Sequence, residues 1–127
     1  MAVTPTPIFA QALRQAVAAI STANTNRDGS GTVGTIFTAG TNGSRITRVD
    51  IAATGTTTAG VVRLYIHNGS TAFLWREVLV GAITPSATIA AFRRSIVTDI
   101  ELPSGYSLRA STHNAETFNV HAFGMDF

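Results

Sequence analysis

From residue 31 onward the chain is a succession of short runs rich in β-branched and aromatic residues: "GTVGTIFTA", "SRITRVDIAA", "GVVRLYIHN", "TAFLWREVLVG", "SATIAAFRRSIVTDIEL", "GYSLRASTH" and "TFNVHAFGM". Each run is cut by a turn signal: Asp28-Gly29, Asn42-Gly43, Asn68-Gly69, Pro85-Ser86 or Pro103-Ser104-Gly105. Asn-Gly and Asp-Gly supply the backbone conformations that tight reversals need. The clearest unit is "VVRLYIHNGSTAFLWREV". Val62, Leu64 and Ile66 fall on one face of a strand and Arg63, Tyr65 and His67 on the other. Asn68-Gly69 then turns the chain back through Phe73 to Val80. Strands at this spacing predict an all-β fold, an antiparallel β-sandwich of seven or eight strands. The corner "IELPSGYSLRAST", with Tyr106, Leu108 and Ala110 alternating after it, makes that sandwich jelly-roll-like.

The start of the chain is different. "MAVTPTPIFAQ" alternates Thr and Pro, which favours an extended, polyproline-like course. Residues 1–14 read as an extended N-terminal arm and residues 15–127 as a single β-sandwich domain. Within "FAQALRQAVAAI", Phe9, Leu13, Ala16, Val17 and Ile20 recur at helical spacing. The same stretch also works as a buried strand, with Val17 and Ala19 on one face and Ala18 and Ile20 on the other. An arm followed by a strand over roughly 15–22 is the reading adopted.

With 127 residues the chain is the size of one domain, and it contains no cysteine. That excludes a disulfide framework and thiolate metal ligands. Charged residues reach only 13%, against about 25% in an average domain. All nine basic residues are arginine, the cation that pairs bidentately and stacks on aromatic rings. They are scattered, only Arg93 and Arg94 being adjacent, so no basic stripe for nucleic acid forms. "MAVTPTPIF" lacks the pattern of a signal peptide, and no run has the length of a membrane span. The expectation is synthesis in a cytoplasm, with neither nucleic acid nor membrane as a partner.

"STANTNRDGSGT" spaces Asn24, Asn26, Asp28 and Gly29 like the opening of a calcium loop. A functional loop needs a bidentate carboxylate at its twelfth position, and that position is Thr35. The stretch reads as a turn, its side chains capping the backbone, and no metal is expected. His67, His113 and His121 lack the local spacing of a zinc site. Asp99 and Glu101 alternate on one strand and could share a face as a hydrolytic pair, but a solvated edge is the simpler reading. No nucleophile elbow, phosphate loop or dinucleotide fingerprint is present. A non-enzyme without a cofactor is therefore expected. Trp75 beside Arg76, together with Tyr65, is kept as a possible glycan-stacking platform.

The phrases "MAVTPTPIFAQ", "ISTANTNRDGSGT", "TAGTNGSRITRV", "ATGTTTAGVVRLYIHNGSTAFLWREV", "TPSATIAAF" and "LPSGYSLRASTHNAETFNVHAFG" cover nearly the whole chain. In them it resembles a family of small virion structural proteins of tailed bacteriophages and prophages. "RQAVAAI" departs from the family's pattern. The resemblance implies a capsid decoration or cement protein on the head surface. Its partners would be the major capsid protein and further copies of itself, as a trimer. Expected contacts are Pro5, Pro7, Ile8 and Phe9 of the arm and the arginines Arg14, Arg93 and Arg94. The alternative is a tail, baseplate or fibre module that binds a host glycan through Tyr65 and Trp75.

Overall fold

The computed structural model describes residues 11–127, and all regular structure in it is β. Eight strands follow in order: β1 (Ala12–Ile20), β2 (Gly34–Thr38), β3 (Ser44–Ala53), β4 (Gly60–His67), β5 (Ala72–Val80), β6 (Arg93–Leu102), β7 (Ser107–Thr112) and β8 (Phe118–Asp126). They form two four-stranded antiparallel sheets, ordered β1-β8-β3-β6 and β2-β7-β4-β5. First pairs with last, β2 with β7, β3 with β6 and β4 with β5. That nested pairing is what a long hairpin gives when it is rolled into two layers, and it is the jelly-roll arrangement.

The alternation read from sequence places the core. Ile46, Val49 and Ile51 of β3 meet Val62 and Leu64 of β4, with Leu108 and Ala110 of β7 and Val120 and Ala122 of β8. All nine are fully buried. Phe92 closes one end by packing edge-on against Phe118.

The segment whose periodicity allowed a helix is a strand. β1 pairs with β8 over nine residues, from Ala12 opposite Asp126 to Ile20 opposite Phe118. A full ladder of long-range pairs outweighs a weak local preference for helix. The strand starts at Ala12, so the last residues of the expected 1–14 arm belong to the sheet. Ala16, Ala18 and Ile20 turn inward, while Leu13 and Val17 turn out.

Two further differences follow from topology. Among the described residues only the β4–β5 connection stays within a sheet, so only Asn68-Gly69 closes a true hairpin there. There the Asn68 side-chain oxygen accepts the amides of Ser70 and Thr71. Asn42-Gly43 reverses the chain equally well but sends it from one sheet to the other. Turn chemistry fixes a local reversal, not which sheet the next strand joins. Likewise "SATIAAF" forms no strand, and β6 begins only at Arg93. Residues 81–92 carry the chain across the gap between the sheets.

Candidate interaction surface

The two sheets bury one face each in the core. Their other faces have opposite fates, and the difference starts in the loop between β1 and β2. This loop, residues 21–33, holds the Asn24-x-Asn26-x-Asp28-Gly29 stretch.

The loop lies across the outer face of the β2-β7-β4-β5 sheet. Arg63 and Tyr65 project from β4 on that face, yet Arg63 is only 2% exposed and Tyr65 is fully buried. The Arg63 guanidinium donates to the Asn24 carbonyl at 3.1 Å, and the Tyr65 hydroxyl donates to the Asn26 carbonyl at 2.9 Å. Glu77 of β5 takes Arg63 at 3.2 Å and Arg27 of the loop at 3.0 Å. Those hydrogen bonds and charges hold the Glu77 carboxyl below its usual range against a smaller opposing effect of burial. A guanidinium can only donate, so His113 accepts from Arg63 through Nδ1 at 3.2 Å. Every polar group that this cover buries on Arg63 thus meets an acceptor.

Asn24, itself buried, shapes the loop from within. Its amide donates to the carbonyls of Ser30 and Thr32, both at 2.9 Å, and its oxygen accepts the Asn26 amide. Asp28 accepts from the amide and hydroxyl of Ser30, which lowers its carboxyl. Gly29 and Gly31 take φ of 86° and 78°, values that side chains other than glycine rarely adopt. Asn24 Oδ1 and Asp28 Oδ1 are thus spent on the loop itself. Among the described residues no group of three or more His, Asp or Glu side chains is placed to hold a metal ion.

This arrangement corrects the glycan platform. Tyr65 has no free face because the loop covers it. Trp75 is the extra residue of a bulge, since Leu64 pairs with Arg76 and Tyr65 with Leu74. Its ring packs partly buried against the core, with the Arg76 guanidinium 6.0 Å from the ring centre. The two aromatics do not form one exposed surface.

Among the described residues, no segment covers the outer face of the β1-β8-β3-β6 sheet. The registers set sixteen residues on it in four rows across the strands. Leu13, Met125, Arg45 and Glu101 make the first row, and Gln15, Phe123, Arg48 and Val97 the second. Val17, His121, Asp50 and Ser95 make the third, and Ala19, Asn119, Ala52 and Arg93 the fourth. Leu13 is 89% exposed, Val97 73% and Val17 57%. Phe123 stacks on His121, and the Arg48 guanidinium lies 4.3 Å from the Phe123 ring centre. Asp50 gathers Arg48 and Arg93, each at 3.2 Å, and the Ser95 hydroxyl. Burial pushes its carboxyl up, but Ser95 and the two arginines outweigh that and leave it lowered.

The arginines singled out from sequence have three different surroundings. Arg14 is engaged within the domain. It donates to the Thr38 carbonyl at 2.7 Å and to Asp126 at 3.0 Å, and it sits 4.0 Å from the centre of the Phe37 ring. Arg14 alternates inward on β1, where these partners line the end of the core. Arg93 is held by Asp50 but remains largely exposed. Arg94 is exposed with no ion-pair partner among the described residues. Pro5, Pro7, Ile8 and Phe9 lie outside the described residues. Asp99 and Glu101 are both exposed, and Asp99 pairs with Arg45 at 3.7 Å.

Sequence reasoning singled out none of Gln15, Arg48, Asp50 or Val97 on this face. The signal was present in β1. Leu13 and Val17 alternate against Ala16, Ala18 and Ile20, so both faces of that strand carry apolar side chains.

No family model matches the chain, and no curated protein matches it. Among solved structures it is similar to a chain of the "Cyanophage Pam1 capsid asymmetric unit". The TM-score is 0.49 with 11% identity, over 100% of this chain and 94% of that one. Identity this low transfers no role. No helix among the described residues is long and apolar enough to cross a membrane.

Proposed function

We propose that the chain is a non-enzymatic structural protein of a bacteriophage virion, a decoration or cement protein on the outside of the head. The observation that carries this reading is apolar surface left over after the core is complete. Besides Leu13, Val17 and Val97, the β5 edge exposes Phe73, Leu74 and Leu79. Large apolar patches on an otherwise well-packed domain mark surfaces that a neighbour covers. The sequence resemblance to phage virion proteins supplies the kind of neighbour. A cement protein works by bridging shell subunits, and many modest contacts add up because the shell presents them together. In this reading the β5 edge, the residue 1–10 segment and the unpaired Arg94 meet the major capsid protein.

The test is co-sedimentation of the purified protein with heads, and separately with tails, of the phage that encodes it. Saturable binding to heads at a stoichiometry set by the shell supports the proposal. Binding to tails alone overturns the head assignment, and binding to neither overturns the virion role.

A further inference from the structure

We infer that the outer face of the β1-β8-β3-β6 sheet is the interface between two copies of this chain, stacked face to face about a two-fold axis that runs across the strands. The rows of this face decide the orientation. With the axis between the Phe123 row and the His121 row, the first row meets the fourth and the second meets the third. Each strand then lies over its own counterpart, running the other way.

The chemistry matches at every charged position but one. Glu101 is exposed and has no ion-pair partner among the described residues. The rotation sets it over Arg93 of the second copy, and by symmetry the pair forms twice. Arg48 comes to lie over Asp50 of the second copy, and Asp50 over its Arg48. Phe123 meets the second copy's His121, extending a stack that already exists within each chain. Leu13 meets the second copy's Ala19, and Val17 its Gln15. Only Arg45 meets an alanine, Ala52, and it keeps Asp99 as its own partner.

The other face-to-face arrangement, with the axis along the strands, is poorer. It lays Leu13 on Glu101 and Ala19 on Arg93, so charge meets apolar surface. An interface in which residue i meets j and j meets i is the signature of a closed two-fold pair. Charge reversal along β6, from Arg93 to Glu101, is what such a pair requires.

The size of the face sets the strength. Four strands about 4.8 Å apart and nine residues long at about 3.4 Å each give roughly 600 Å² per copy in plan. Stable interfaces bury around 800 Å² per partner. A dimer at the low end of that class, in the micromolar range, is the expected form. This replaces the trimer expected from the family resemblance, and it leaves the β5 edge free. It does not depend on the capsid reading, because head binding is measured separately.

Sedimentation velocity over a concentration series tests it with three variants whose folding is checked by circular dichroism. The wild type should pass from monomer to dimer at micromolar concentration. Val17→Asp and Glu101→Arg should each weaken the dimer at least tenfold. Leu79→Asp, at a more exposed position on the other sheet, should leave it unchanged. A chain that stays monomeric at every concentration, a trimer, or a dimer broken by Leu79→Asp but kept by Val17→Asp would overturn the inference.

Discussion

Both sheets of this sandwich carry polar and apolar side chains on their outer faces, yet a loop covers the β4 part of one face and no described segment covers the other. On the covered part, the loop from residue 21 to 33 takes Arg63, Tyr65 and Asn24 out of solvent and supplies acceptors for Arg63 and Tyr65. On the bare face, Asp50 is shielded by its own neighbours while Leu13, Val17 and Val97 stay in solvent. A domain of this size buries its core fully with one face of each sheet. A second layer is needed only if the outer face is too apolar or too heavily charged to stand in water. Among the described residues the chain provides that layer once, for β4.

If this contrast is right, mutations under the loop cost folding and mutations on the bare face cost association. The largest effect belongs to Arg63→Ala. It strips the loop of a buried donor and leaves Glu77 and the Asn24 carbonyl without it. A loss of about 3 kcal/mol is expected in urea unfolding, the low end for a broken buried pair because Glu77 is partly exposed. Asn24→Ala comes next. It orphans two loop carbonyls and an amide, for about 2 kcal/mol, and limited proteolysis should cut within residues 21–33. Tyr65→Phe removes one hydrogen bond and keeps the packing, so about 1 kcal/mol is lost. At the small end, Val17→Thr should change stability by less than about 0.5 kcal/mol, as exposed positions do. A large loss for Val17→Thr, or none for Arg63→Ala, would erase the distinction between the faces.

Much of this was legible in the residues. The alternation in "VVRLYIHNGSTAFLWREV" placed Val62 and Leu64 inward and closed the β4–β5 hairpin at Asn68-Gly69. β3 was readable as a strand from "SRITRVDIAA", but the bulge between Ile46 and Arg48 shifts the inward face from Ile46 to Val49 and Ile51, which alternation alone does not give. What alternation could not reveal was the cover over Arg63 and Tyr65. Parity gives the side of a sheet, but not what lies above it, and the loop that covers β4 is 39 residues away in sequence. The bare face was half legible for the opposite reason. Leu13 and Val17 stand out only once β1 is known to be a strand, and helical spacing competed with that reading. The ion pair of Arg14 was not legible because its partner, Asp126, is 112 residues away and meets it only through the β1–β8 ladder.

The measurement that reaches the central claim most directly is a cryo-electron microscopy map of the virion of the encoding phage. The account predicts eight-stranded jelly-roll density on the outside of the head, with the face carrying Leu13, Val17 and Phe123 covered by a second copy. A virion without that density, or with the density present and this face turned to solvent, would contradict it.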